Sequence, residues 1–303
     1  MVPPVDSFDH PGWRRVLLGV ALVWVMLCGL SPKMALSEAS PALRIVSLNP
    51  SLTEILLVLE AGESLVGVDD YSAQHVAGVE AKPRVGGLYS PSLESVVALE
   101  PDVVVLVPSA EQRDFHHRLE QMGIRVESFE NIRFEDVLEN IHRLGVLTHH
   151  RVQAKQRIDA VQRTRAAARR VLKDQRAPRV LIVLQRDPVF VVGGGSFLDE
   201  MLQAVGAENV AGEFDDPYPR VGVEWVVAQS PEVLLDLSPD AAGAGPYWSR
   251  WPSLQAVSDQ RVVTLDSALI SMPGPHLDQT IERLARLLYG PSVGTAIVQE
   301  ASP

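Results

Sequence analysis

Histidines are the first candidates for chemistry, because imidazole is the most common metal ligand in proteins. The chain contains the adjacent pairs His116-His117 and His149-His150 and the single residues His75, His142 and His276. Neighbouring residues on a helix point about 100° apart, so neither pair can hold one metal ion by itself. No His-x-x-x-His spacing occurs, which argues against a zinc site. His75 stays open as an axial ligand to heme or cobalt, with a surface or core role as the alternative.

Nucleophilic catalysis has no recognisable motif in this sequence. There is no Gly-x-Ser-x-Gly elbow, and the single cysteine, Cys28, lies in an N-terminal apolar stretch. A serine hydrolase of unfamiliar arrangement would need Ser271 close to His276 and an acid. Residues 193–196, Gly-Gly-Gly-Ser, could bind an anion but lack the ending of a P-loop, so a turn that feeds a helix cap is favoured. We predict no catalytic residues, no resident metal and no cofactor.

Composition points to a soluble globular body. The 303 residues are 46% hydrophobic and 21% charged, as in folded proteins. The formal net charge of −11 argues against nucleic acid as a partner, because phosphate backbones require a basic surface. With one cysteine outside the predicted folded body, no disulfide can form there, and stability has to come from an apolar core.

The N-terminal segment, residues 1–37, reads as a secretory signal peptide. Two arginines precede an apolar run over Val16–Leu30, and Ala35-Leu36-Ser37 offers a small-x-small cleavage pattern. The alternatives are an uncleaved anchor, although the run is shorter than the roughly 20 residues that span a bilayer, and a lipoprotein modified at Cys28. We therefore expect a periplasmic or other extracytoplasmic location.

An internal repeat predicts the organisation of the rest. Residues 94–105 match residues 224–235 at six of twelve positions. Upstream, Ser51–Glu54 aligns with Ser196–Asp199, and both resemble capping boxes that open a helix. Apolar runs of strand length flank these segments, so each half is predicted to alternate strands and helices around a parallel sheet.

A helix is predicted to connect the two halves. Residues 147–174 contain no glycine or proline and carry a narrow apolar stripe at helical spacing. Such a helix is about 40 Å long at 1.5 Å per residue. Its many basic residues fit a solvated linker face better than a nucleic-acid helix in an acidic chain. The expected divisions are a lobe over 43–146, the helix over 147–174, a lobe over 177–290 and a disordered tail over 291–303.

Three motifs carry a family resemblance: residues 44–54, residues 67–72 and residues 85–94. They resemble the helical-backbone class of periplasmic substrate-binding proteins, which serve cobalamin, siderophore-iron and heme importers, and the resemblance spans residues 43–290. The Gly-Val-x-x-Tyr-Ser segment and Pro217-Tyr218-Pro219 are most similar to cobalamin-binding members. The resemblance implies an α/β protein with two doubly wound lobes joined by a single long α-helix.

The resemblance also implies a docking surface for the transmembrane subunits of an ABC permease. In this class one acidic residue on each lobe contacts the permease, and the matching positions are Glu94 and Glu224. A carboxylate near a helix N-terminus is stabilised there by the helix dipole. The alternative is that both glutamates only complement those dipoles.

The ligand is expected between the lobes, at the carboxyl ends of the strands. By the resemblance, the candidate ligand-binding residues are Tyr71, Leu88, Tyr89, Phe190, Tyr218 and Ser271. Aromatic side chains suit a large, flat ligand such as a corrin. Leu88 stands where the best-known cobalamin-binding member has a tryptophan, and residues 268–274 lack the acid–arginine pair of that loop.

The function expected from these features is delivery of cobalamin or a related corrinoid, a metal chelate, to an ABC importer by a monomeric, non-enzymatic receptor. The alternatives are a ferric siderophore or heme receptor of the same fold and a secreted hydrolase. Siderophores are anionic, so Arg84 and Arg220 facing the cleft would favour a siderophore.

Overall fold

Two β-sheets organise the part of the chain that the computed structural model describes, residues 43–109, 113–264 and 273–302. Each sheet and its helices form one lobe, and two further helices lie between the lobes in sequence. The predicted fold class, two doubly wound α/β lobes joined by a helix, is confirmed.

Lobe 1 is built on a four-stranded parallel sheet with the order β2-β1-β5-β6. Because β1 lies between β2 and β5, the connections leave it in opposite directions, as in other doubly wound sheets. Its strands are β1 (Ile45–Ser47), β2 (Leu65–Val68), β5 (Val103–Leu106) and β6 (Arg125–Ser128), and its small hairpin is β3 (Gly86–Gly87) with β4 (Ser90–Pro91). Its helices are α1 (Pro50–Val58), α2 (Asp70–His75), α3 (Leu93–Ala98) and α4 (Arg113–Gln121).

Lobe 2 repeats this plan with an antiparallel addition. Its strands are β7 (Arg179–Arg186), β8 (Val189–Val191), β9 (Glu208–Asn209), β10 (Arg220–Val221), β11 (Val233–Asp236) and β12 (Val262–Thr264). Its helices are α7 (Phe197–Ala204), α8 (Val223–Gln229), α9 (Ala244–Trp248) and α10 (Gln255–Ser258). Strands β9, β11 and β12 run parallel to β7 or to each other, whereas β8 and β10 are antiparallel. The all-parallel sheet expected for this half is therefore wrong at its β8–β10 edge, because the chain turns back at Asp187-Pro188, a turn-initiating pair.

The lobes are connected by α5 (Phe134–Leu147) and α6 (Arg151–Val171). The helix expected from residue 147 begins instead at Arg151, because the chain turns at His149, whose φ is 63°. The two helices pack closely: a Cβ at Gly145 would lie 2.4 Å from the Cβ of Ala154. None of the described helices combines the length and the apolar character needed to cross a membrane.

The C-terminal segment is helical rather than disordered. After α11 (Leu277–Tyr289), helix α12 spans Pro291–Ala301 and packs on α6 and α11. Ile297 is fully buried, and Glu300 accepts from Arg170 of α6 at 2.8 Å. The disordered tail expected at 291–303 is thus wrong over this helix, because its apolar residues recur at helical spacing and have a neighbouring surface to cover.

Apolar residues alternate between two faces of each sheet. Along β1, Ile45 and Val46 belong to different clusters, and along β7 the same holds for Val180 and Leu181. One of these clusters is continuous from β1 of lobe 1 through α5 and α6 to β7 of lobe 2. Alternation between two buried faces is what helices on both sides of a sheet require.

The internal repeat extends to the backbone. Left-handed residues end the corresponding helices of the two lobes at three places, in the pairs Glu60 and Gly206, Glu100 and Ser230, and Gly123 and Gln260. The recurrence supports duplication, because a left-handed conformation is uncommon for residues other than glycine, and four of these six residues are not glycine.

Of the two helix caps predicted from the repeat, one is confirmed and one is wrong. Ser196 caps α7 as predicted, because its hydroxyl accepts from the Asp199 amide at 3.2 Å. Ser51 does not cap α1. The cap is Asn49, whose side chain accepts from the Ser51 amide at 2.9 Å, with Pro50 at the first helical position.

Candidate ligand-binding site

A cavity of about 630 Å³ opens where β1 and β2 end. Its volume lies within the roughly 300–1,000 Å³ of small-molecule sites. Lobe 1 supplies every described lining residue except Pro273. The lining residues are Asn49, Pro50, Ser51, Asp70, Tyr71, Gln74, Gly87, Leu88, Tyr89, Asn131 and Pro273. Three of the predicted ligand residues, Tyr71, Leu88 and Tyr89, are therefore brought together.

Helix α2 carries three of the lining residues, and a buried network of polar side chains joins it to the rest of lobe 1. Asp69 caps it, accepting from the Ser72 amide at 2.9 Å and from the Ser72 hydroxyl. Thr53 of α1 donates to Ser47 at 2.8 Å and lies 3.2 Å from the Ser72 hydroxyl. All four side chains are fully buried, so α2 is tied to both α1 and β1. Burial raises the pKa of Asp69, and the hydrogen bonds from Ser72 partly offset this.

Tyr71 presents its ring to the cavity from α2 and is 39% exposed. Its ring stacks on that of His75, with centroids 4.0 Å apart and planes inclined by 21°. His75 is not among the described lining residues. Of the described residues, no three metal-ligating side chains cluster. The role of His75 as an axial ligand stays a prediction.

Leu88 and Tyr89 form the tip of the β3–β4 hairpin. Gly86, with φ 105°, allows this tight return: a Cβ there would lie 3.0 Å from the Ser92 amide nitrogen and 3.1 Å from the Ser90 carbonyl. Tyr89 is 62% exposed. The hairpin thus holds an apolar and an aromatic side chain at the cavity edge while leaving the tyrosine ring accessible.

The polar part of the cavity lining carries one described charge, the carboxylate of Asp70. Besides the two tyrosine phenols, its other polar groups are amides and one hydroxyl, those of Asn49, Gln74, Asn131 and Ser51. Asn131 donates to the Ser51 hydroxyl at 3.2 Å, across 80 positions of sequence. No arginine, lysine or histidine is found among the lining residues that the structure describes, and Arg84 and Arg220 lie exposed elsewhere.

These polar residues were not predicted individually. Asn49-Pro50-Ser51 directly follows β1, and the rule that ligands bind at carboxyl ends of strands would have found it. The same rule would have found Asn131, which comes shortly after the parallel strand β6, and its hydrogen bond places it beside Ser51.

The two candidates from lobe 2 lie outside this cavity. Phe190 sits on β8, paired with Arg220 of β10, and Tyr218 is 49% exposed in the segment before β10. Surrounding protein raises the pKa of the Tyr218 phenol through desolvation. The structure therefore does not bring these two rings to the lobe 1 cavity. Ser271 lies outside the described residues.

The glycine run before Ser196 is a turn, as predicted. The amide of Gly193 donates to the Pro217 carbonyl at 2.9 Å, and that of Gly194 donates to the Phe214 carbonyl at 3.1 Å. A Cβ at Gly193 would lie 2.0 Å from the Asp216 carbonyl oxygen. These amides have protein partners, so they position the segment that carries Tyr218 rather than bind an anion.

His276 contacts lobe 1. Its Nε2 lies 3.6 Å from a carboxylate oxygen of Glu54, and burial raises the pKa of Glu54 while His276 lowers it. A second contact joins lobe 2 to the connecting helix α5: the Phe134 amide donates to Glu200 of α7 at 2.6 Å. Each contact places a glutamate carboxylate at the start of a helix from another part of the chain.

The two predicted docking residues occupy equivalent places. Glu94 is the second residue of α3 and Glu224 the second residue of α8, and both are exposed. Ser92 caps α3 through the Ser95 amide at 3.2 Å, whereas Gly222 begins α8 without a side-chain cap. Each carboxylate is thus accessible at the positive end of a helix.

Comparison with known proteins supports the resemblance. The periplasmic binding protein family matches residues 45–269. The vitamin B12-binding protein of Vibrio cholerae serotype O1 is 25% identical over 274 residues, 90% of this chain and 98% of that protein. YvrC, an uncharacterized ABC transporter substrate-binding lipoprotein of Bacillus subtilis, is 28% identical and covers 81% of this chain and 80% of its own. A periplasmic heme-binding protein from Pseudomonas aeruginosa superposes with a TM-score of 0.68 at 27% identity, over 82% of this chain and 93% of that one.

Proposed function

The chain belongs to the periplasmic binding protein family, and we propose that it delivers cobalamin or a related corrinoid to an ABC importer. At the coarser level it is a substrate-binding protein of the ABC-transporter kind, which binds a small molecule and works with permease subunits. The identity of the ligand is the part proposed.

The observation that carries the proposal is a cavity lining that is rich in amide and hydroxyl groups and has no described cation. The corrin ring of cobalamin bears carboxamide side chains, which pair with amide and hydroxyl groups such as those of Asn49, Gln74 and Ser51. Anionic chelates need cations, and the described lining supplies none. Asp70 would also repel a carboxylate-bearing ligand. Sequence similarity supports the same ligand, since the relative from Vibrio cholerae at 25% identity is a vitamin B12-binding protein.

Heme is the second candidate ligand, because a heme-binding protein shares this fold at 27% identity. Its flat ring suits Tyr71 and Tyr89 as well as a corrin does. Its two propionates are the difference, since they would enter a cavity whose one described charge, on Asp70, has the same sign.

Equilibrium dialysis of the protein from residue 38 onward against cyanocobalamin, hemin and a ferric siderophore tests the proposal. We expect saturable binding of cyanocobalamin and weaker binding of the other two. Asp70→Asn should leave cyanocobalamin affinity within about twofold and strengthen hemin binding, because it removes like-charge repulsion. Saturable binding of hemin alone, unchanged by this substitution, contradicts the corrinoid assignment.

The proposed partner surface consists of Glu94 and Glu224. Paired charges on a rigid body orient docking more than they add affinity. Reversal of both to lysine should spare ligand binding and reduce uptake in cells that carry the permease. Glu120→Lys, at the far end of α4, is the matched control. Full uptake by the double variant contradicts the docking role.

We propose further that residues 1–37 export the chain and that the receptor catalyses no reaction. Support for export comes from the apolar run and cleavage pattern of those residues and from the family itself. N-terminal sequencing of the secreted protein distinguishes cleavage after Ser37 from retention of a lipid-modified Cys28.

A further inference from the structure

We propose that His75 is a positioning residue that holds the Tyr71 ring as a fixed, flat platform for the ligand. The inference rests on the proposed function, because it takes the lobe 1 cavity as the ligand site. His75 acts through Tyr71: the tyrosine lines the cavity, and the histidine is not among its described lining residues.

The first contact between the two side chains is the ring stack. Tyr71 and His75 are four residues apart on α2, so their side chains lie one above the other on the same helix face. Their rings are nearly parallel, inclined by 21°, with centroids 4.0 Å apart. An exposed tyrosine on a six-residue helix would otherwise sample several rotamers. The stack selects one of them before the ligand arrives.

The second contact fixes the histidine itself. Its Nδ1 lies 3.0 Å from the Tyr71 carbonyl oxygen. A carbonyl oxygen only accepts, so Nδ1 carries the hydrogen and Nε2 is the unprotonated nitrogen of the neutral ring. The imidazole is therefore held by its edge and by its face.

The helix beneath the pair is itself anchored. Asp69 caps α2, and Ser72 joins it to the buried hydroxyl network with Thr53. Mobility of Tyr71 relative to the cavity is then limited to its own side-chain torsions. These are the torsions that His75 restrains, and a preordered ring lowers the entropy cost of ligand binding.

Three substitutions separate the two contacts. His75→Phe keeps a flat ring and loses the bond to the carbonyl, His75→Gln keeps a donor without the ring, and His75→Ala loses both. His117→Ala, an exposed histidine of α4, is the matched control. The chain has five tyrosines, few enough to assign Tyr71 in a ring-labelled NMR spectrum from the Tyr71→Phe variant.

The ligand-free spectrum tests the stack without reference to any ligand. The Tyr71 ring signals should carry a ring-current shift in the wild type and in His75→Phe. They should lose it in His75→Gln and His75→Ala, while His117→Ala leaves it unchanged. An identical Tyr71 shift in the wild type and His75→Ala overturns the proposal.

Dialysis against cyanocobalamin tests the consequence. His75→Ala and His75→Gln should weaken binding about twofold to tenfold, as expected for the loss of an aromatic pair, and His75→Phe should restore it. Equal loss in Phe and Ala, with a changed absorbance spectrum of the bound metal complex, assigns metal ligation to His75 and overturns the positioning role. Unchanged affinity in His75→Ala also overturns it. If the wild type binds none of the probes, the proposed function fails, and the spectrum still decides the stack.

Discussion

The two lobes share a backbone plan and differ in what lies buried at the carboxyl edge of each sheet. In lobe 1 this edge holds hydroxyl groups around Asp69, which has no cationic partner among its contacts. In lobe 2 the corresponding edge holds an ion pair: Nε of Arg186 lies 3.2 Å from Asp236, which is fully buried and also accepts from Trp248 at 2.7 Å.

The difference shows where a duplicated fold is free to diverge. Helix ends and apolar strands are equivalent in both lobes. Each lobe needs left-handed residues at the corresponding positions to end its helices, and apolar residues on both faces of its sheet to pack against them. The carboxyl edge carries no such requirement. Lobe 1 there supports a short helix that faces a cavity, and lobe 2 supports an aromatic cluster of Tyr247, Trp248 and Trp251.

The largest predicted effect is in lobe 2. Arg186→Met leaves Asp236 as an uncompensated buried charge and should lower the free energy of unfolding by about 3–5 kcal/mol. Urea denaturation followed by circular dichroism measures this. Asp240→Asn is the control: Asp240 also faces Arg186 but its side chain is 74% exposed, so its loss should cost under about 1 kcal/mol. Equal effects of the two substitutions would remove the contrast between buried and exposed partners.

A smaller loss is predicted for lobe 1. Asp69→Ala removes the cap of α2 and an acceptor for Ser72, and should cost about 1–2 kcal/mol in the same denaturation experiment. Asp69→Asn retains an acceptor for the Ser72 amide and should cost less. If Asp69→Ala is as damaging as Arg186→Met, lobe 1 also depends on a buried charge and the proposed difference between the edges is wrong.

The pH dependence of stability should distinguish the carboxyl edge of the lobe 1 sheet, where Asp69 lies, from that of lobe 2. The pKa of Asp69 is raised above its ordinary 3.8 by burial, so the folded protein binds more protons than the unfolded chain just above pH 3.8. Stability contributed by this group is therefore present at low pH and lost as the pH rises through the folded pKa. Asp69→Asn should gain stability relative to the wild type between pH 4 and pH 7. A constant difference across this range contradicts the raised pKa.

The smallest predicted effect concerns a feature that the lobes share, the left-handed residues that end α3 and α8. Glu100 and Ser230 both have φ 45°, a conformation that costs L-residues other than glycine roughly 1–2 kcal/mol. Glu100→Gly and Ser230→Gly should therefore each raise the thermal midpoint slightly, with gains of about 0.5–1 kcal/mol after the extra entropy of glycine. Ala98→Gly and Ala228→Gly, inside the same helices, should destabilise instead. Opposite signs at Glu100 and Ser230 would show that the two helix ends are not equivalent.

Much of the fold was predictable because its signals are local. Helix starts and apolar strands each show within a few residues, and the repeat doubled each signal. The antiparallel pairing of β8 with β10 was missed because two- and three-residue strands carry too short a pattern to distinguish them from a loop. Helix α12 was missed because its modest apolar stripe is significant only beside α6 and α11.

The candidate site was predicted in part for the same reason. Tyr71, Leu88 and Tyr89 lie in motifs that follow strands of lobe 1, and a parallel sheet gathers such loops at one edge. Phe190 and Tyr218 do not follow this pattern, because Phe190 lies within β8, which pairs antiparallel with β10, and Tyr218 lies just before β10. Asn131 comes shortly after the parallel strand β6, so the same rule places it at this edge, although no motif marked it.

By itself the sequence determined the two-lobed class, the equivalence of Glu94 and Glu224, and the presence of aromatic residues in the loops after the strands of lobe 1. Each of these depends on the order and spacing of residues within short segments. Only the tertiary structure decided that no described cation lines the cavity, that His75 supports Tyr71, and that one sheet edge buries hydroxyls and the other an ion pair. These properties depend on side chains from separate elements meeting at a distance of a few ångströms. Their burial, and hence the strength of each polar contact, exists only once the layers are packed.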